Sequence, residues 1–518
     1  MTSVRAQPVG SVAPPHDPFD TTAVEQNLGT RSFRGAAATL SAQTIKLTLQ
    51  LGSQVALARL LTPEAFGLFG MVIAVTGIVA VIKDAGLSMV TIQRPALEHA
   101  QVSLLFWVNA SASLVLAGMM AAVALPLAWF YRDPRLGPLT LALSPGILLG
   151  GLAQQHLALL QRQMNFRSLA VIDVGSLLIG TGAAVISATL GAGAWSFVTA
   201  SLATAASTAV GAWLFCAWRP SRPSRANAVG ELLMFGGHLT GFNLVNYLAR
   251  NLDNVLIGRV WGSATLGIYS RAYSLLMLPL LQLNAPLSSV ALPMLSRIVG
   301  TPDRYRTTYL RLIGNVSLVS APAVAFLIPT ADWLIALILG PQWTGAARIF
   351  SVLGAVGLVQ PALSATGWLF ISQGRTRDMF RWGVLGSALS IASFIIGLPW
   401  GGVGVATSYA VSILLVQTPL LFYFVGRQGA VRTGDLFRVL AVPLATATSV
   451  LAAVAGFRYA VPVSSNVTGL FYSGAVALLA GALVLSAHRA GRAAVKELVE
   501  TTLTLARGGV PRSESEAA

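Results

Sequence analysis

Two short sets of polar side chains stand out in this sequence because they share one spacing. Gln43, Lys46, Gln50 and Ser53 or Gln54 recur at i, i+3, i+7 and i+10 or i+11, and Asn243, Asn246, Arg250 and Asp253 or Asn254 recur at the same offsets. On a helix that spacing puts each set on one face. The chemistry such a face offers is anion binding: Lys46 supplies a point charge, and the planar fork of Arg250 can take phosphate oxygens bidentately. Arg271 is the next candidate, while Gln43, Gln50, Asn243 and Asn246 line the same faces. Asp253, three residues after Arg250, reads as its counter-ion or as a site for a coupling proton or sodium ion, the ion pair being favoured. Lys83 and Asp84 form a second candidate pair near a helix end, where snorkelling of Lys83 to headgroups is an equal explanation.

The elements that carry these faces follow from composition. Of the 518 residues 55% are hydrophobic and only 10% charged, against about 25% charged in soluble domains. Apolar runs repeatedly reach the roughly 20 residues that cross a bilayer as a helix. They recur near 37–60, 66–91, 103–127, 139–160, 168–190 and 193–217, and again near 231–258, 265–290, 308–330, 346–372, 380–400 and 403–426, with a last pair near 436–456 and 467–488. The expected fold is therefore an all-α polytopic membrane protein of about 14 transmembrane helices. Its parts are a tail over 1–36, a six-helix bundle over 37–217, a Pro- and Arg-rich connector over 218–230, a second six-helix bundle over 231–426, an extra helix pair over 427–488 and a tail over 489–518.

Most of the 34 Lys and Arg fall in alternate connectors and the two tails, whereas Arg59, Arg132, Arg135, Arg259, Arg348 and Arg458 fall on the opposite side. By the positive-inside rule both termini are cytoplasmic. The same distribution accounts for most of the +16 net charge and argues against a nucleic-acid partner. Trp129, Trp195, Trp218, Trp261, Trp333, Trp343 and Trp400 lie near predicted helix ends, where an indole suits the interface.

A gap-free overlay of residues 43–70 on 243–270 pairs Val55 with Val255, Arg59 with Arg259 and Gly67 with Gly267, and matches Gln43 with Asn243 and Gln54 with Asn254. The two bundles thus read as parallel pseudo-symmetric copies, related by an axis along the membrane normal. A charge at the middle of a lipid-facing helix costs about 2.5–3.5 kcal/mol even on the lenient insertion scale. The two polar faces must therefore line protein or a hydrated cleft between the halves.

Other chemistry is missing. No Gly-Lys-Ser or Gly-Lys-Thr, His-Glu-x-x-His or Gly-x-Ser-x-Gly occurs, the single cysteine is Cys216, and the five histidines are scattered. No cofactor is expected, and a transporter is favoured over an enzyme.

The stretch Leu57-Ala58-Arg59-Leu60-Leu61-Thr62-Pro63-Glu64-Ala65-Phe66-Gly67-Leu68, with Asp84-Ala85-Gly86-Leu87 and Gln93-Arg94, resembles the opening signature of Wzx-type polysaccharide exporters, the lipid-linked oligosaccharide flippases. Arg250-Asn251-Leu252-Asp253-Asn254, Ile257-Gly258-Arg259, Leu266-Gly267-Ile268-Tyr269-Ser270-Arg271-Ala272, Pro293-Met294-Leu295-Ser296-Arg297 and Leu339-Gly340-Pro341-Gln342-Trp343 carry the likeness into the second half. The resemblance implies two six-helix bundles in a V, within the multidrug/oligosaccharidyl-lipid/polysaccharide exporter superfamily. It implies a polyprenyl-pyrophosphate-linked glycan as substrate, moved from the inner to the outer leaflet of a bacterial cytoplasmic (inner) membrane, with a polysaccharide polymerase and export proteins as partners. Ion coupling by H+ or Na+ would replace ATP. The alternative is a multidrug or cation antiporter of the same superfamily, for which acidic cleft residues are expected.

Overall fold

The computed structural model describes residues 28–83, 91–92, 97–222, 229–487 and 491–492. Among these every regular element is helical: α1 (Leu28–Leu60), α2 (Pro63–Lys83), α3 (His99–Tyr131), α4 (Leu136–Arg162), α5 (Phe166–Thr189), α6 (Trp195–Phe215), α7 (Val229–Arg297), α8 (Pro302–Leu327), α9 (Ala331–Ile338), α10 (Thr344–Gly357), α11 (Gln360–Ser372), α12 (Thr376–Gly397), α13 (Gly401–Val411), α14 (Thr418–Gly426), α15 (Thr433–Ala460) and α16 (Asn466–Ala487). A π-helical turn over Ser412–Gln417 joins α13 to α14. Among the described residues eight helical stretches are long and apolar enough to cross a membrane, or nine with the bent pair α10–α11 taken as one. The chain is a multi-pass membrane protein.

The helices begin and end where local chemistry dictates. Asn165 opens α5 by accepting the Ser168 N–H (3.2 Å), and Pro302 with Asp303 opens α8, a combination that suits the first turn. The apolar runs locate the helices, but caps set their ends. Thus α1 begins at Leu28, nine residues inside the tail expected over 1–36, because a helix need not stop where hydrophobicity does. The remainder of that tail, the 489–518 tail apart from 491–492, and residues 223–228 of the connector lie outside the described residues.

Three elements are shaped by a break, and only the second differs from the sequence expectation. First, the runs at 231–258 and 265–290 fall on the two helical arms of α7, as expected, and the arms meet at a break at Gly262 (φ 79°, ψ −179°). A side chain would be strained at that φ, and the residue folds the chain back on itself. Tyr269 donates from its hydroxyl to Asp253 Oδ2 at 2.9 Å, although 16 residues along a straight helix would separate them by about 24 Å. Second, the helix expected over 346–372 is broken, α10 and α11 being bent by 43°. Pro361, which has no N–H to give to the preceding turn, stands just after the break. Third, α12 and α13 are separate helices, in line with the runs at 380–400 and 403–426, and the rings of Phe394 and Tyr409, 5.3 Å apart, pair them as a hairpin.

The chain separates into two compact units. Unit 1 holds the described residues through 57, then 75–129 and 133–245; unit 2 holds 58–74, 130–132 and 246 onward. The division falls within α7, after residue 245, and the end of α1 and the beginning of α2 group with the second unit. In unit 1, α6 ends at the extended Cys216, and Arg219 ties the following segment down by donating to the carbonyls of Trp213, Cys216 and Trp218. Trp218 itself is buried against His156 and Phe106 rather than at an interface.

In unit 2 a core of Leu295, Tyr305, Tyr309, Trp368, Phe370, Phe422 and Leu436 joins α7, α8, α11, α14 and α15. Arg375 closes one end of this core. Its guanidinium donates to the carbonyls of Phe424 (3.3 Å), Val425 (3.0 Å) and Gln428 (2.9 Å) and to Asp378 (3.2 Å). The last carbonyls of a helix have no intrahelical donor, so Arg375→Ala should destabilise the protein by about 2 kcal/mol. A thermal melt in detergent, falling by several degrees while the glycine control Gly118→Ala stays level or rises, would check this.

Candidate functional site

The unit 1 face holds Lys46, half-buried, with Gln50 beside it and Gln43 exposed. Lys46 Nζ lies 3.3 Å from Asp173 Oδ2 on α5. Spacing along α1 identified the cation; the partner carboxylate, read from sequence as interfacial, is brought to it only by tertiary packing. The Asp173 side chain is about half exposed, and exposed ion pairs contribute little stability, so the pair leaves Lys46 available to exchange partners.

In unit 2 the returning arms of α7 meet the segment 58–74. Trp343 is wholly buried and donates from Nε1 to the Ala58 carbonyl (2.8 Å), and Gln342 Nε2 donates to the same oxygen (2.7 Å). This burial overrides the interfacial position expected for Trp343. Arg59 donates to the carbonyls of Leu337 and Ile338 at the end of α9, where a cation complements the helix dipole. Phe66 packs edge-on to the Trp343 indole at 5.1 Å, and Tyr247 donates to the Ile73 carbonyl at 2.9 Å.

Two crossings bring backbones together. A Cβ on Gly67 would collide with the Ser263 carbonyl, and one on Gly267 would collide with the Pro63 carbonyl. In the overlay of the two halves Gly67 matches Gly267 and Pro63 matches Ser263, so the contact is reciprocal. Small residues spaced by four allow this close packing within membranes.

Arg271 stands against that crossing. Its guanidinium carbon lies 4.4 Å from the Phe66 ring centroid, and its buried Nε has no hydrogen-bond partner among the described residues. Cation–π contact with Phe66 compensates only part of the lost hydration. The group therefore keeps donors that an anion could take.

Asp253 is buried and held by the Tyr269 hydroxyl (2.9 Å) and the Asn254 N–H (2.8 Å). The side chains of Arg250, Asn243, Asn246 and Lys83, and Asp84 altogether, lie outside the described residues, and with them the expected Arg250–Asp253 ion pair. Tyr269 is the partner that sequence reasoning missed. Its only advance signal is the turn residue Gly262, which fixes where the two arms of α7 meet. No group of three or more His, Cys, Asp or Glu able to hold a metal occurs among the described residues.

Outside the spans, Asp332 is pushed up by burial but drawn further down, below the usual carboxylate range, by Arg458, which donates to it at 2.7 and 2.8 Å.

The sequence matches a family model described as polysaccharide biosynthesis protein over residues 56–348, more than half of the chain and inclusive of the crossing and Arg271. It is 26% identical over 407 residues to the lipopolysaccharide biosynthesis protein WzxC of Escherichia coli (strain K12), covering 77% of this chain and 81% of that protein. In fold it is similar to the lipid II flippase MurJ in an inward closed conformation, with a TM-score of 0.68, 13% identity and coverage of 88% of this chain and 98% of that one. It also resembles an inward-facing multidrug resistance MATE family transporter of the MOP superfamily, with a TM-score of 0.58, 15% identity and coverage of 76% and 96%.

Proposed function

The chain belongs to the polysaccharide biosynthesis protein family, and from that premise we propose that it flips a polyprenyl-pyrophosphate-linked oligosaccharide from the inner to the outer leaflet of the bacterial cytoplasmic membrane. The flipped units feed capsule, exopolysaccharide or O-antigen synthesis. The observation that carries this reading is the family match, which runs through residues 56–348. The fold adds that relatives of this architecture move molecules across membranes, and the partly buried guanidinium of Arg271, with its Nε unpartnered, adds a place for a phosphate.

The proposal includes fourteen spans as two six-helix bundles and a terminal pair, with both termini cytoplasmic as the arginine distribution requires. Lys46, Arg250 and Arg271 supply positive charge to the pyrophosphate. Asp253, or Lys83 with Asp84, would take a coupling H+ or Na+. Polymerase and export proteins receive the product. The antiporter alternative draws on the same fold, as the MATE likeness shows, but its relatives in sequence would be drug transporters rather than WzxC.

A deletion strain complemented with this gene tests the proposal. Loss of surface polymer, accumulation of the lipid-linked repeat unit on the cytoplasmic leaflet, and recovery of both on complementation are expected. Unchanged polymer with altered drug resistance would overturn the flippase in favour of the antiporter.

A further inference from the structure

One groove of unit 2, apart from the candidate site described above, runs between the hairpin helices α12 and α13 and has a volume of about 800 Å³. It is of the size that holds small ligands. It is lined by Gly404 and Ser408 of α13 and by Ser412 of the π-helical turn, spaced by four along one floor, and Ile396 of α12 stands on the facing wall. The Ser412 hydroxyl is turned into the protein, accepting from Gln417 Nε2 at 3.1 Å, so the floor presents little polarity to its occupant. Trp400, 71% exposed, and the exposed Arg348 stand at one end of the same groove. Their proximity is fixed by the start of α13: a Cβ on Gly402 would lie 3.3 Å from Ile349 Cδ1, next to Arg348. Arg348 makes no hydrogen bond or ion pair among the described residues.

Resting on the reading of the preceding subsection, we propose that this groove holds the polyisoprenyl chain of the lipid-linked glycan after flipping, its phosphate having passed from Lys46, Arg250 and Arg271 to Arg348. On a membrane-embedded face an apolar channel is filled by a lipid chain, and the free cation at its end selects a chain that carries an anion. The small floor residues recur about every 6 Å, the rise of four helical residues. A polyisoprenoid carries a methyl branch on every fourth backbone carbon, a comparable repeat, so its branches can seat in successive gaps along the floor. A straight acyl chain has no such branches to seat. Trp400 suits the headgroup level at which the phosphate would stop.

The test uses the full protein in phosphatidylcholine nanodiscs, titrated with polyprenyl phosphate and read by native mass spectrometry. Ser408→Phe, which fills the floor, should weaken binding at least about tenfold, and Arg348→Gln about tenfold, the loss of one charge-assisted contact. Neutral polyprenol should respond to Ser408→Phe but not to Arg348→Gln. Should Ser408→Phe fail to fold, Ser408→Leu and Arg348→Gln carry the same comparison. Binding indifferent to these substitutions, or wild-type protein from which equimolar phosphatidylglycerol displaces polyprenyl phosphate, would overturn the assignment. Groove binding by a protein that never restores polymer would remove the flipping function and keep the groove; restored polymer with binding indifferent to Ser408→Phe would do the reverse.

Discussion

Arg271→Ala is expected to abolish surface polysaccharide while the protein remains inserted and abundant. Arg271 pays for its burial with no hydrogen bond at Nε and a single aromatic face 4.4 Å from the guanidinium carbon. A residue kept only for stability would not be placed so, because an under-compensated buried cation destabilises the fold. Removing it should leave the melting temperature unchanged or higher. If the guanidinium instead binds phosphate oxygens, its loss removes charge-assisted hydrogen bonds worth about 1.5–3 kcal/mol each, which lowers flux roughly 10- to 150-fold. Arg271→Lys should keep part of the activity, since it retains the charge but not the fork. The paired measurements are polymer output and a detergent melt. Normal polymer from the alanine variant would take Arg271 out of the mechanism, and a variant lost from the membrane would make it structural. Arg250→Ala is expected to abolish polymer in the same way, with Arg250→Lys retaining part.

Much of the architecture was legible because a bilayer imposes a length on every apolar run. The runs near 103–127 and 168–190 became α3 and α5 with ends moved by a few residues, and the overlay of residues 43–70 on 243–270 pairs Gly67 with Gly267 from residue order alone. What the sequence did not carry is pairing across helices. Lys46 and Gln50 share a face by period alone, but nothing in the period names Asp173, which lies 127 positions away from Lys46. Asp253 was visible as a buried acid, and its neighbour Arg250 in sequence drew attention from Tyr269, which reaches it by a turn at Gly262. Hydropathy is equally blind to a bend within an apolar run, as at Pro361, and to whether an indole near a helix end faces lipid or, like Trp343, is sealed inside the protein.

Gly67→Val and Gly267→Val are each expected to lower the melting temperature sharply and to eliminate polymer. Each glycine faces a backbone carbonyl, of Ser263 and Pro63 respectively, that a Cβ would strike. A backbone cannot swing aside like the end of a side chain, so two helices must separate, and the dense packing around them transmits the strain. Overpacking of this kind costs about 1–3 kcal/mol, and more where no side chain can yield. Gly67→Ala and Gly267→Ala should therefore also be harmful, in contrast with Gly118→Ala. There, open space surrounds the added Cβ and helix propensity should favour alanine by up to about 1 kcal/mol. Because the two collisions resist the same approach, the first substitution already opens the crossing and the second finds it open. The double variant Gly67→Ala/Gly267→Ala should accordingly lose much less than the two single losses combined, a coupling that independent sites would not show. Strict additivity would mean that the two contacts are separate, and single alanine variants as stable as wild type would mean that the helices do not cross this closely.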